Sequence, residues 1–178
     1  SASNIWQFDA IFDVNAGDTV LVAHVAPNMA IASTDDTVPW YGVITDGTTL
    51  LTTGMDPVSG GVVAVGNYLV TFGNGGYVGW SAPNDVTGTD DAANVTQQKI
   101  VRGIPVRGGG VPAALLWSLD SLLVMTFNDP ATTLWDFDTI GETSVLSSRG
   151  IIEYDGVYYW AGVDRFLSYN GVIREVPN

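Results

Sequence analysis

Val157-Tyr-Tyr-Trp160 is apolar at four consecutive positions, and Asp155-Gly156 precedes it. Val62-Val-Ala-Val65 and Leu122-Leu-Val-Met125 read the same way. A strand wet on one face alternates apolar and polar residues, whereas a strand covered on both faces is apolar throughout. Sheets sandwiched between other sheets are therefore expected here. Asp155-Gly156 and Asn170-Gly171 are turn dipeptides that favour tight hairpins. In Val157–Trp160, alternation sets Tyr158 and Trp160 on one face and Val157 and Tyr159 on the other, which suits inter-sheet packing better than a ligand platform.

Working outward, four segments share a plan of apolar strand, turn, apolar strand, turn, and a third strand bearing an aromatic. The clearest runs Gly60–Asn67, Tyr68–Phe72, the turn Gly73-Asn-Gly-Gly76, then Tyr77–Ser81. The next runs Gly109–Trp117, Leu122–Phe127 and Thr133–Phe137. The last runs Arg149–Tyr154, Val157–Trp160 and Phe166–Tyr169. A looser copy comprises Trp6–Phe12, Thr19–Ala23 and Met29–Ala32. All-strand repeats of roughly 40–50 residues are the mark of propeller blades. The expected fold is all-β: a single domain over 1–178, a propeller-like array of about four antiparallel blades at 4–35, 58–85, 109–138 and 148–171. Trp80, Trp135 and Trp160 then fall at matching blade positions. Pro112–Leu119 is the best helix candidate, but its flanking glycines and repeat position favour a strand. The polar stretch 82–98 reads as a long surface loop, and Arg107-Gly-Gly-Gly110 as a blade-to-blade linker.

Composition narrows function. The 178 residues carry a net charge of −13 and no cysteine. Disulfides, thiolate nucleophiles and Cys-ligated zinc are excluded. Residues 1–98 hold ten Asp and no Lys, Arg or Glu. Tight nucleic-acid binding is not expected, because phosphate contact needs Lys and Arg. Solubility or adaptation to high salt would each explain the acidity. No apolar run approaches the ~18 residues that span a bilayer, so no membrane partner is expected. The chain begins at Ser1 rather than Met, as a processed product or part of a longer protein would.

Candidate chemistry is sparse. His24 is the one histidine, set in the apolar strand Thr19–Val25, and Gly79-Trp-Ser-Ala-Pro83 is half of a nucleophile elbow without the closing glycine. Asp136 and Asp138 flank Phe137 and share one strand face, the best carboxylate pair for glycoside hydrolysis. Asp85, Asp90 and Asp91 are weak candidates for calcium, with oxygens but no EF-hand spacing. Arg102 and Arg107 bracket the only locally basic stretch, and with Arg165 they are the candidates for a partner interface. No catalytic or cofactor-binding residue is assigned and no cofactor is expected.

Two stretches suggest a family. Trp117-Ser-Leu-Asp-Ser-Leu-Leu-Val-Met-Thr-Phe127, followed by Ser148 through Gly171, resembles a pattern in tail-tube, hub and DNA-stabilising proteins of tailed bacteriophages. Val78-Gly-Trp-Ser-Ala-Pro-Asn-Asp85, Ile5-Trp-Gln-Phe-Asp9 and Thr19-Val-Leu-Val-Ala23 resemble other parts of it. The likeness covers much of the chain. One departure is Arg165, where the pattern has glycine. The resemblance implies a non-enzymatic virion subunit of a tail or head-to-tail connector, a homo-oligomeric ring or tube beside other virion subunits, with DNA passing near. The alternatives are a secreted or surface glycan-binding propeller and a glycoside hydrolase using paired Asp.

Overall fold

The computed structural model describes residues 58–83, 88–128 and 133–177, together with the backbone of three strands nearer the start. Those three are β1 (Thr19–Val20), β2 (Trp40–Ile44) and β3 (Thr48–Thr52), which form a first sheet in the order β1-β2-β3. The second sheet joins β4 (Gly61–Val65), β5 (Tyr68–Phe72), β6 (Tyr77–Trp80) and β7 (Asp91–Asn94). The third joins β8 (Ile100–Pro105), β9 (Ala113–Ser118), β10 (Ser121–Phe127) and β11 (Trp135–Glu142). The fourth joins β12 (Ile151–Tyr154), β13 (Val157–Ala161), β14 (Phe166–Tyr169) and β15 (Ile173–Glu175). Every pairing is antiparallel between strands adjacent in sequence. The chain is thus all-β, built of antiparallel sheets with up-and-down meander order, and the described residues contain no α-helix.

Turn chemistry sets the hairpins. Asp155 and Gly156 both take positive φ, 52° and 74°, between the paired Tyr154 and Val157. That is the two-residue connection whose twist matches its strands, and only glycine and short polar residues enter it cheaply. Ser118 Oγ accepts from Ser121 N at 2.9 Å across the β9–β10 turn and lies 2.7 Å from Asp120 Oδ1.

The third sheet carries the core. Along β9, Ala114 and Leu116 face the second sheet, while Leu115 and Trp117 face the fourth. Along β10, Leu123 and Met125 go one way and Leu122 the other. All seven are buried to within 1% of complete. At about 1.5–3 kcal/mol for each large apolar side chain, this double burial is the main source of stability. The run Leu122-Leu-Val-Met125 therefore reflects packing on both sides, as its pattern predicted.

On one side, Tyr68, Phe127 and Trp135 form an aromatic triangle with centroid separations of 5.3–5.9 Å. On the other, Trp117 touches Tyr158 and Trp160 at 5.9 and 5.8 Å. The opening strands of the second and third sheets also meet. Gly103 of β8 lies so close that a Cβ there would stand 2.8 Å from the Phe72 ring and 3.0 Å from Val63. A side chain at that position would push the two strands apart.

The sheets differ from the sequence reading in several places. The second, third and fourth have four strands, not three. The added strands β7, β8 and β15 are short or broken by Arg102 and polar ends, so no apolar run announces them. Strand β7 lies inside 82–98, which is therefore not one long loop; Ala93 pairs with Val78 and packs on the core. Sheet boundaries shift accordingly, to 61–94, 100–142 and 151–175. Much of the expected blade 4–35 lies outside the described residues, and the first sheet reaches on to Thr52.

Arg107–Gly110 is not a linker between blades. It closes the β8–β9 hairpin, and Val106 N donates to Ala113 O just inside it. The three tryptophans are not equivalent: Trp80 ends a third strand, Trp135 begins a fourth and Trp160 sits in a second. The matching set is Phe72, Trp117 and Trp160, each in a second strand opposite the start of the first. Ala64 is exposed, so β4 is not covered on both faces along its length. The far face of β13 is only half-buried at Val157 and Tyr159.

Candidate functional site

Among the described residues, those singled out by type do not converge. His24 and Asp85 lie outside the described residues. Asp90 and Asp91 are exposed at the start of β7, and the Asp91 carboxylate accepts from Ala92 N at 2.8 Å, a local turn contact. Among the described residues no group of three or more His, Asp or Glu is placed to hold a metal ion. Ser81, in the half-elbow, is fully buried. Its Oγ accepts from Leu69 N at 3.0 Å and donates to Ala82 O at 2.9 Å, so it pins the second sheet and is not poised as a nucleophile.

Asp136 and Asp138 do share a face of β11, opposite Thr126 and Val124, with Trp135 and Phe137 turned to the core. Both are exposed on an edge strand. Asp136 accepts from Asn128 Nδ2 at 2.9 Å and Thr133 Oγ1 at 3.3 Å, contacts that tie down the loop before the strand. The pair thus sits on an open edge strand, with Asp136 engaged in holding the loop that precedes it.

The arginines are dispersed as well. Arg102 is exposed on β8, Arg107 in the β8–β9 loop and Arg165 in the β13–β14 loop. Arg107 is near enough to Tyr158 to oppose the rise in that phenol's pKa. Burial is the largest cause of the rise, and the Glu153 carboxylate adds to it. Arg165 makes a fork to Asp164, with Nε to Oδ1 and Nη2 to Oδ2 both at 2.9 Å. The guanidinium holds the Asp164 carboxyl below its ordinary range. Asp155 is the sole non-glycine with positive φ among the described residues. The Arg165 backbone is therefore ordinary, and no glycine is needed at that turn.

One cleft among the described residues was missed by sequence reasoning. It has a volume of about 290 Å³ and is bounded by Glu142–Ser144 at the end of β11, Asp164, Arg165 and Leu167, and Ile173–Glu175. Its walls come from two sheets, so no local motif could have marked it. Arg165 also approaches Glu175, 3.8 Å away. The hydroxyls are committed to structure. Thr143 Oγ1 accepts from Trp160 Nε1 at 3.2 Å, and Ser144 Oγ accepts from Val163 N at 2.9 Å. The cleft gathers charges of both signs, Glu142, Asp164 and Glu175 with Arg165 and Arg174, at the seam between two sheets.

The tryptophans described at side-chain level, Trp80, Trp117, Trp135 and Trp160, are all buried in the two inter-sheet clusters. They do not form a stacking platform for sugars. No family model matches the chain, and no curated protein matches it.

Proposed function

We propose that the four sheets are blades of a β-propeller, and that the chain is a non-enzymatic structural subunit of a phage tail or head-to-tail connector. The observation that carries the architecture is the third sheet, buried on both faces between its sequence neighbours. The close approach of β4 and β8 supports it too, because the opening strands of consecutive propeller blades crowd the axis. The functional half rests on the likeness of Trp117–Phe127 and Ser148–Gly171 to the phage pattern. The chemistry is consistent with it. Candidate nucleophiles and carboxylates are engaged in turns and hairpins, while tryptophans serve as packing.

The −13 charge acquires a role under this reading. A surface poor in Lys and Arg does not grip phosphate, so DNA passes without sticking. Other virion subunits and further copies of this chain are the partners. Growth of the phage with the gene silenced by a nonsense codon tests the proposal. Defective particles lacking a complete tail or connector are expected in electron micrographs. Intact, infectious particles would refute it.

A further inference from the structure

Three turns among the described residues set a glycine directly after Asn or Asp: Asn74-Gly75, Asp155-Gly156 and Asn170-Gly171. Glycine lacks the Cβ that elsewhere shields the backbone nitrogen. In such a dipeptide that nitrogen can reach the carbonyl carbon of the preceding side chain and close a five-membered ring. Closure needs rotation about the Cα–C bond of the Asn or Asp, so a turn held by hydrogen bonds must open first.

The fold holds two of the three turns. Asn74 O accepts from Tyr77 N, and Gly75 O accepts from Asn94 Nδ2 at 2.9 Å. Gly76, next in the chain, sits so close to Thr96 that a Cβ would collide with its backbone. In the second turn, Gly156 N donates to Glu153 Oε1 at 3.1 Å, which engages the attacking nitrogen itself. Asn170-Gly171 is different. It lies in the loop between the paired Tyr169 and Ile173, where Asn170, Gly171 and Val172 are all exposed. Among the described residues, neither the Asn170 side chain nor Gly171 N has a hydrogen-bond partner. The space around Gly171 is open, with nothing within 4 Å of where a Cβ would stand.

We propose that Asn170 is a site of spontaneous deamidation, and that its isoaspartate product loosens the β14–β15 hairpin. Gly171 N gives up its proton to base and attacks Asn170 Cγ. A C–N bond forms, and the side-chain amide leaves as ammonia. Water then opens the succinimide at either carbonyl, giving aspartate or isoaspartate. One water is consumed and one ammonia released, with no oxidant or cofactor. Both products add a carboxylate. Isoaspartate also routes the backbone through Cβ and Cγ, so the three-residue loop gains an atom. The Tyr169–Ile173 pairing then no longer closes as before, and Ile173–Glu175, a wall of the cleft, is released from β14. Neither the propeller nor the phage reading is needed for this chemistry.

The test incubates the unaltered protein in mildly alkaline buffer and follows each Asn by peptide-mapping mass spectrometry, with an isoaspartyl methyltransferase marking isoaspartate. Asn170 should convert at least about fivefold faster than Asn74, the slowing that one net hydrogen bond supplies. In guanidinium chloride the two rates should converge. Equal rates in the folded protein, or faster conversion of Asn74, would overturn the assignment. A gap that persists in denaturant would trace it to neighbouring residues and overturn the role of the fold. Amide exchange at Val176 N, which donates to Phe166 O at 2.8 Å, reads the hairpin. It should rise several-fold in the isoaspartate fraction and stay at the parent level in fresh Asn170→Asp, which gains the charge without the extra backbone atom. Unchanged exchange in the isoaspartate fraction, or an equal rise in Asn170→Asp, would overturn the loosening.

Discussion

The indole of Trp117 meets that of Trp160 edge to face, with ring centroids 5.8 Å apart and planes crossing at 74°. Both rings are buried, and they join the third sheet to the fourth. Their polar edges differ. Trp160 Nε1 donates to Ser144 O at 3.1 Å and to Thr143 Oγ1 at 3.2 Å. Trp117 Nε1 is buried with no hydrogen-bond partner among the described residues. Trp160→Phe should therefore cost more than Trp117→Phe, by about 1 kcal/mol, since it removes the indole donor from the half-buried Ser144 carbonyl and Thr143 hydroxyl. Either residue changed to Ala should cost about 3–5 kcal/mol. Urea denaturation curves of the four variants check the ranking.

Gly103 is the close-approach point between β8 and β4. A Cβ would press on Phe72 and Val63, and on Leu116 at 3.2 Å. Gly103→Val should destabilise by about 1–3 kcal/mol through overpacking. Val63→Ala in the same chain should recover part of the loss by opening space. Thermal melts of the single and double variants measure the coupling, and strict additivity would show that the seam is looser than described.

Asp164 titrates below the ordinary carboxylate range because Arg165 forks onto it. A depressed pKa contributes stability that is present above the unfolded-state pKa and is lost as pH falls through the folded value. Both side chains are well exposed, 63% and 48%, so the contribution is small. Arg165→Ala should return the Asp164 carboxyl toward its usual range in a carbon-detected NMR titration. The fold and the neutral-pH melting temperature should barely change.

Tyr158 has the opposite sign. Burial raises its pKa above 10, with the Glu153 carboxylate adding to the effect. A raised folded pKa gives stability that is intact below the unfolded value near 10 and is lost as pH climbs toward the folded one. Stability should fall more steeply above pH ~10 in the parent than in Tyr158→Phe, as read from denaturation midpoints across that window.

Much of the fold was legible because its signals are local. Consecutive apolar residues at Leu122–Met125 and the dipeptide Asp155-Gly156 each state their own structure. Strand β7 was not legible: Asp91-Ala-Ala-Asn94 is too short and polar to stand out, and it forms because Tyr77–Trp80 offers it an edge. The equivalence of Phe72, Trp117 and Trp160 was hidden because the hairpins that align them have unequal loops. The Arg165 question needed a backbone angle, which no pattern of residue types supplies. The cleft beside Glu142 and Arg174 joins residues far apart in sequence, so only the packing of two sheets brings it together.

The most direct test of the central claim is quantitative mass spectrometry of purified phage particles. The account predicts this chain as a stoichiometric, multi-copy component that stays with the particle through density-gradient purification. Its recovery solely as a free secreted monomer, absent from particles, would contradict the account.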